Sequence, residues 1–192
     1  MNLQGALKQH FGFDAFRPGQ QEVIEAVLNS EVDLGVISYP ATSPEITVIP
    51  LRSEKMVLVC HPKHELASRK AVTAEHLRDE DFISFDRDLS IRKEIDRYLR
   101  QRTVDISVVM EFDNIETIKQ AVEIGAGISI LPEPTVRQET GNGSLAAIRL
   151  IAPELQRPVW IIHRQRKVFT PTAAKFVELL QKEHGSPAED AG

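Results

Sequence analysis

The stretch FDNIETIKQAVEIGAGISILPE, residues 112–133, has the pattern of an amphipathic helix that runs into a buried strand. Apolar side chains recur at helical spacing over residues 114–124, and Gly125 supplies a stop for the helix. The apolar run 128–131 predicts a strand, and another strand is predicted over residues 106–111, directly before the stretch. A strand–helix–strand unit of this kind is typical of α/β proteins.

The same alternation continues on both sides of this unit. Helices are predicted over residues 20–29, 90–102 and 171–182, with a helical turn over 73–77. Strands are predicted over residues 33–38, 46–51, 56–60, 81–85, 148–151 and 159–163, and a loop over 139–144. Because strands alternate with helices, we expect an α/β fold with mostly parallel strand pairing.

Composition excludes several classes of protein. The 192 residues suffice for one domain or two small lobes, and the single cysteine, Cys60, excludes an internal disulfide. The net charge of −5 disfavours non-specific binding of nucleic acid by the whole surface. No apolar run approaches the roughly 20 residues that span a bilayer, and the first residues do not form a secretory signal. We therefore expect a cytoplasmic protein with no membrane partner.

Four segments resemble, in order, the effector-binding domain of LysR-type transcriptional regulators. They are QEVIEAVLNSEVDLGVIS (21–38), LRSEKMVLVCHPKHELA (51–67), the stretch 112–133, and LQRPVWIIHRQRKVFTPTAAKFVELL (155–180). The resemblance covers about residues 20–183. It implies a two-lobed α/β fold like that of periplasmic binding proteins, with a small effector held between the lobes, and it also implies a homodimer.

The resemblance implies how the lobes are assembled from the chain. The first lobe comprises residues 20–61 and 132–183, the second comprises residues 62–131, and residues 184–192 are expected to be a disordered tail. The family's first strand, first helix and second strand have no counterpart ahead of Gln20, so we expect an incomplete first lobe. The family's helix-turn-helix is not matched either, and DNA would be bound only through that domain, which this chain lacks.

A second resemblance lies at the beginning of the chain, where residues 1–19 form a separate segment. Residues 6–27, ALKQHFGFDAFRPGQQEVIEAV, are similar to the opening motif of RecQ-type helicases. This resemblance implies adenine binding by Phe13, Arg17 and Gln20. The sequence has no GxxxxGK[ST] loop to bind phosphates, which excludes helicase activity. A fragment of an ATP-dependent RecQ-type helicase and a non-functional fusion remain as alternatives to an effector-sensing domain.

The predicted ligand-binding residues follow strands or begin a helix. They are Ser38, Tyr39, Ser84, Phe85, Asp113 and Asn114. Ligands of α/β sheets bind at the carboxyl ends of strands, and the N–H groups of a helix that starts at Asn114 would suit a carboxylate. Asp113 could instead only cap that helix. The predicted ligand is a small organic anion.

The remaining reactive side chains predict no catalysis, no metal and no cofactor. His61 and His64 lie in a Pro-containing bend with no further ligands nearby in sequence, so we interpret them as part of a solvated hinge. Cys60 ends an apolar strand and is predicted to be a buried small hydrophobe. No G-x-S-x-G motif is present, which disfavours a nucleophilic triad. The basic residues of the helix 90–102, among them Arg92, are predicted to form a solvated outer face.

Overall fold

The computed structural model describes residues 20–40 and 43–184, and its contacts divide the chain into two compact units. Unit 1 takes the chain up to Ser53 and from Pro158 onwards, and unit 2 is Glu54–Arg157. The predicted N-terminal segment 1–19 and the tail after residue 184 lie outside the described residues. No helix in the described ranges is long and apolar enough to cross a membrane.

Unit 1 is a small sheet with a helix on each face. Its elements are α1 (Gln20–Leu28), β1 (Gly35–Ser38), the first part of β2 (Ile46–Cys60), the later part of β8 (Gln156–Arg164) and α5 (Pro171–His184). β1 and β8 pair antiparallel. Successive residues of a strand point to opposite faces. Accordingly, Ile162 packs in the cluster of Ile24 and Val27 from α1, while Ile161 packs in the cluster of Val177 from α5.

Unit 2 contains the remaining elements. They are β3 (Ala71–Val72), β4 (Asp81–Phe85), α2 (Ser90–Gln101), β5 (Ser107–Phe112), α3 (Ile115–Glu123), β6 (Ser129–Pro132), α4 (Arg137–Asn142) and β7 (Ala146–Leu150). Short 3-10 turns lie at Glu65–Ser68, Ala74–Leu77 and Glu133–Val136. β6 and β7 both pair antiparallel with the later part of β2, and β3 pairs parallel with β7. β4 and β5 form a parallel pair, and a parallel bridge joins Phe82 of β4 to Ile128.

Both long helices of this half of the fold bury the apolar faces that their sequences predict. In α2 the inner face of Ile91, Ile95, Tyr98 and Leu99 is confirmed, because each side chain is buried. α3 buries Ile118 and Val122. The phenol oxygen of Tyr98 donates a hydrogen bond to the carbonyl of Ile151, 3.3 Å away, so the inner face of α2 also anchors the segment after β7. The packing holds the β4–β5 sheet against α2 and α3.

Three details of the predicted fold are wrong. Residues 46–60 form one continuous strand, because the polar residues 52–55 keep the two-residue alternation of an extended chain. Residues 137–142 form a helix rather than a loop, and Gly143 ends it in the left-handed conformation. Pairing is mixed rather than mostly parallel: a parallel pair needs a crossover, such as α2 between β4 and β5, and β2 has antiparallel neighbours.

The contacts divide the chain at residues 53/54 and 157/158, whereas the predicted lobe boundaries near 61 and 132 both fall inside unit 2. β6 and β7 pair with the part of β2 that belongs to unit 2, which attaches residues 129–150 to that unit. The division into lobes at the predicted residues, with an incomplete first lobe, stays a prediction.

Candidate functional site

Four of the predicted ligand-binding residues meet at one edge of the β4–β5 sheet. The two strands run parallel, with Ser84 opposite Glu111 and Phe85 opposite Phe112, so both carboxyl ends lie side by side. The backbone N–H of Asp86 continues the pairing with a hydrogen bond of 3.0 Å to the carbonyl of Phe112. The chain then leads from Phe112 directly into Asp113 and Asn114. We call this place, Ser84–Asp86 with Glu111–Asn114, the carboxyl edge.

Ser84 is the most distinctive residue of the carboxyl edge. It has 0% exposure, and its hydroxyl has no hydrogen-bond partner in the part of the chain that the structure describes. A buried polar group without a partner costs about 1–3 kcal/mol, so such groups are rare in folded proteins. Phe85, which follows it, is also buried. The edge therefore holds an unused hydroxyl between well-packed neighbours.

Asn114, rather than Asp113, caps helix α3. Its side-chain oxygen accepts a hydrogen bond of 2.7 Å from the backbone N–H of Glu116. The expectation that Asp113 caps a helix beginning at Asn114 is wrong, because Asn114 has extended backbone angles and the helix begins one residue later, at Ile115. Asp113 is exposed, which leaves its carboxylate at the surface of the carboxyl edge.

Arg92 of helix α2 is buried and binds residues of the carboxyl edge. The prediction that the basic residues of α2 form a solvated outer face is therefore wrong for this residue. Its side chain is 7% exposed and donates hydrogen bonds to the carbonyl of Phe85 at 2.6 Å, to Glu111 at 2.9 Å and to Asp96 at 2.8 Å. The cause of the error is that Phe85 and Glu111 belong to other elements. The sequence does contain one indication of an ion pair, because Asp96 lies four residues after Arg92 and therefore on the same face of the helix.

The charges of this network reinforce one another. Burial alone would lower the pKa of the Arg92 guanidinium, but hydrogen bonds to Glu111 and Asp96 outweigh burial and raise this pKa. Hydrogen bonds from Arg92 and then Arg87 hold the pKa of the Glu111 carboxyl below its ordinary value. The negative charge of the Glu111 carboxylate is therefore balanced by Arg92 and Arg87, and the Nε and Nη1 groups of Arg92 bind other residues of the protein.

Ser38 and Tyr39 belong to unit 1 and lie at the end of β1. Ser38 pairs with Val159 of β8, and the backbone N–H of Tyr39 donates to the carbonyl of Pro158 at 3.4 Å. Tyr39 has a φ of 52°, in the left-handed region that non-glycine residues rarely adopt. Backbone strain of this kind often accompanies ligand sites. Both side chains are half-buried.

The predicted adenine-binding residues are not tested by the structure. Phe13 and Arg17 lie outside the described residues, and Gln20 begins α1 with its side chain also outside them. The RecQ-like reading of this segment stays a prediction.

His61, His64 and Cys60 are held within the fold by local hydrogen bonds or by burial. His64 accepts a hydrogen bond from the N–H of Leu66 and lies 3.4 Å from Glu80, while His61 accepts from the N–H of Lys63. Cys60 is fully buried, as predicted, and burial, followed by the nearby charge of Glu80, raises the pKa of its thiol to about 11. Within the described ranges, no cluster of three or more His, Cys, Asp or Glu side chains could hold a metal ion.

Comparison with known protein sequences identifies the family of this chain. The model of the LysR substrate binding domain matches residues 16–185. The HTH-type transcriptional regulator YeiE of Escherichia coli strain K12, itself uncharacterized, is 32% identical over 158 residues, which cover 82% of this chain and 54% of YeiE. The HTH-type transcriptional activator CmpR of Synechocystis sp. strain PCC 6803 is 27% identical over 161 residues, covering 84% of this chain and 53% of CmpR. The chain thus spans about half the length of these relatives.

Solved structures support the fold. The regulatory domain of Synechocystis PCC6803 CcmR, in complex with 2-PG, matches with a TM-score of 0.74 and 21% identity, covering 94% of this chain and 88% of that one. The effector binding domain of QuiR, in complex with shikimate, matches with a TM-score of 0.73 and 17% identity, covering 93% and 86%. The predicted α/β fold of such domains is confirmed. The chain belongs to the LysR substrate binding domain family of transcriptional regulators.

Proposed function

We propose that this domain senses a small organic anion at the carboxyl edge and reports its binding to the DNA-binding part of a LysR-type regulator. The observation that carries the proposal is the buried, unpartnered hydroxyl of Ser84 at the end of a parallel strand. Ligands of α/β sheets bind at such strand ends. A ligand that accepts a hydrogen bond from Ser84 would remove the cost of the unsatisfied group.

Helix α2 favours an anion at this place. It begins at Ser90, five residues after Phe85, and its N-cap residue Leu89 makes no side-chain cap. The start of a 12-residue helix carries a partial positive charge, which no cap from Leu89 masks here. The Nε and Nη1 groups of Arg92 already donate hydrogen bonds to Asp96, to the carbonyl of Phe85 and to Glu111. Its role is therefore to position the strand end.

Asp113 adds a constraint on the ligand. Its exposed carboxylate would repel a second anionic group but would accept a hydrogen bond from a hydroxyl. The favoured ligand is thus a hydroxy acid whose anionic group faces Ser84 and the start of α2. The structural neighbour QuiR is bound to shikimate, which is a hydroxy acid with one carboxylate. Ser38 and Tyr39, at the end of β1 in unit 1, stay predicted ligand-binding residues.

The test is an NMR titration of the ¹⁵N-labelled chain with a panel of hydroxy acids that includes shikimate and lactate, with ATP as a separate arm. We expect chemical-shift changes at Ser84, Phe85, Asp113 and Asn114, and a loss of affinity of about tenfold in Ser84→Ala, which is one good hydrogen bond. Changes that appear only with ATP and only near Gln20 would instead support adenine binding.

Ser129 provides a matched control for Ser84. Its hydroxyl is also fully buried and unpartnered within the described part of unit 2, but it lies on β6. Ser84→Ala and Ser129→Ala should each leave stability unchanged or raise it by up to about 1 kcal/mol, because an unsatisfied group is removed. Only Ser84→Ala should weaken ligand binding. Equal weakening by both would contradict a direct role for Ser84.

The wider role rests on the family. The matched residues cover 54% of YeiE and 53% of CmpR, and we infer that DNA is bound through a helix-turn-helix domain of the complete regulator, in the cytoplasm. We infer no catalysis by this domain; ATP turnover that Gln20→Ala abolishes would contradict that inference.

We also infer a homodimer. β5 pairs with β4 alone among the described strands, and it exposes Val109 and Met110. A free strand edge with exposed apolar residues is suited to pairing with a second copy. Sedimentation should show a dimer that Val109→Lys dissociates, and a monomeric wild-type chain would contradict the inference.

A further inference from the structure

Unit 2 contains a large groove that shares no residue with the predicted ligand-binding set. Its volume is about 980 Å³. Its base is formed by β2 and β7, one wall by the Glu133–Val136 turn and helix α4, and the other by residues 151–156. This volume is at the upper end of the range for small-molecule sites, about 300–1,000 Å³. The groove is therefore large enough for a metabolite with several functional groups.

Four cationic side chains line the groove and only one carboxylate does. The cations are Lys55, Lys70, Arg137 and Arg149, and the carboxylate is Glu133. None of these five side chains has an ion-pair or hydrogen-bond partner in residues 20–40 and 43–184. In a chain with a net charge of −5, this is a local excess of three positive charges, four cations against one anion.

The strand register brings the cations together from distant parts of the chain. Arg149 of β7 lies opposite Val57 of β2 on one side and Ala71 of β3 on the other. Lys55 is two residues before Val57 and so points to the same face of the sheet, at the diagonal position to Arg149, roughly 7–8 Å away between backbones. Lys70 directly precedes Ala71. Arg149 thus has Lys55 at a diagonal position on β2, while Lys70 lies just before β3 and also lines the groove.

Apolar side chains contribute to the lining of the groove as well. Val57, Val136 and Leu145 are buried beneath the groove, and Ile151 is 49% exposed at its side. Ligand sites combine such an apolar lining with a few polar groups that orient the ligand. Arginine and lysine bind carboxylates and phosphates through charge-assisted hydrogen bonds. We propose that this groove is a second binding site, for an organic polyanion that carries two or more carboxylate or phosphate groups on an apolar frame.

Shape favours a small polyanion over duplex DNA. A duplex is a convex rod, and proteins bind its phosphates with cations that project from their surfaces. Here the cations line a concave space together with apolar side chains, and Glu133 would repel a continuous phosphate backbone. An acidic peptide is the remaining macromolecular occupant, and the experiment includes it as an outcome that overturns the proposal.

The test uses the full chain and benzene-1,3,5-tricarboxylate, a rigid polyanion with an apolar frame, in calorimetry and ¹⁵N NMR at about 0.15 M salt, where the Debye length is about 8 Å. Inorganic phosphate, a Glu-rich peptide and a short DNA duplex are compared with it. We expect shift changes at Lys55, Arg149 and Ile151, and an affinity that falls at least about tenfold in Lys55→Gln/Arg149→Gln, since two charge-assisted bonds are lost. Phosphate alone should bind more weakly than the tricarboxylate.

The control variant Lys63→Gln/Lys182→Gln removes the same charge from exposed lysines that do not line the groove. It should keep the wild-type affinity within about twofold, because the long-range effect of two exposed charges is screened by salt. Ser84→Ala should leave this binding unchanged, which separates the groove from the carboxyl edge. The proposal is overturned if the control loses as much affinity as the groove variant, or if the shifts map to Ser84 and Asn114. Absence of tricarboxylate binding, or tighter binding of the peptide or the duplex, also overturns it.

Discussion

Arg92 and Phe85 are joined by a hydrogen bond of 2.6 Å from the guanidinium to the backbone carbonyl, at the last residue of strand β4. The same nitrogen also donates to Glu111 of β5 at 2.9 Å, so one side chain of helix α2 ties together both strands whose ends form the carboxyl edge. The edge that we propose as the ligand site is thus positioned by a buried side chain of helix α2. Disturbing Arg92 should therefore affect stability as well as the geometry of the edge.

Arg92→Leu should destabilise the chain by about 2–4 kcal/mol, because it leaves the buried carbonyl of Phe85 and the carboxylate of Glu111 without their donor. Urea unfolding measures the change. Arg97→Leu on the same helix is the matched control: Arg97 is 61% exposed and, among the residues that the structure describes, pairs with Glu94. Its loss should cost about 1 kcal/mol or less. Equal effects of the two substitutions would show that the Arg92 network contributes little.

Gly127→Ala should destabilise unit 2 by about 1–3 kcal/mol through overpacking. A Cβ at this position would lie 2.5 Å from the carbonyl oxygen of Asp81, which accepts a hydrogen bond from the N–H of Ile128. Because this oxygen belongs to the backbone, the clash can be relieved only by a shift of strand β4. Gly141→Ala in α4 has open space around it and should instead stabilise by about 0.5–1 kcal/mol. Thermal unfolding of the two variants should shift in opposite directions.

Glu139 should make the stability of the chain depend on pH in the acidic range. The hydrogen bond from Lys119 holds the pKa of the Glu139 carboxyl below its ordinary value of 4.5. A lowered folded-state pKa contributes stability above the unfolded pKa, and this contribution is lost as the pH falls through the folded-state pKa. Wild type should therefore exceed Glu139→Gln in free energy of unfolding near neutral pH, and the difference should shrink below about pH 4.5.

Glu178→Gln is the control for this pH effect. Glu178 forms an exposed ion pair with Lys175, with both side chains more than 60% exposed. Its replacement should change the free energy of unfolding by only a few tenths of a kcal/mol, roughly the value of an exposed helical pair. Urea unfolding at about five pH values between 3 and 7 measures both differences. A constant gap for Glu139→Gln across this range would rule out the inferred pKa shift.

The sequence predicts elements well where local residues mark both ends. Helix α3 is predicted to within one residue, since Asn114 and Gly125 bracket it. Helix α4 is missed, because Gly141, Asn142 and Gly143 have the composition of a turn, and only packing makes the preceding turn helical. The ends of α3 are therefore encoded by residues next to them in sequence, whereas the formation of α4 depends on tertiary packing.

The residues of the candidate sites also differ in how far the sequence alone predicts them. Ser84 could be singled out as a polar residue at the end of an apolar run, but its lack of a partner depends on the packed fold. The Arg92 network could not be predicted, because Phe85 and Glu111 approach only once β4 and β5 pair. The groove around Arg149 likewise requires the pairing of β7 with both β2 and β3. Long-range strand pairing creates these sites, and local pattern does not reveal it.

Asn114→Asp should weaken the binding of a hydroxy acid without unfolding the helix. Asn114 caps α3 through its side-chain oxygen, and Asp caps a helix about as well as Asn, so stability should change by less than about 0.5 kcal/mol. The new carboxylate stands beside Asp113 at the carboxyl edge and would repel an anionic ligand, with a loss of affinity of about tenfold or more. Asn114→Ser keeps a capping oxygen without the charge and should retain most of the affinity. NMR titration and urea unfolding of both variants measure these effects. If Asn114→Asp binds the ligand as tightly as Asn114→Ser, no anionic ligand is bound at the carboxyl edge.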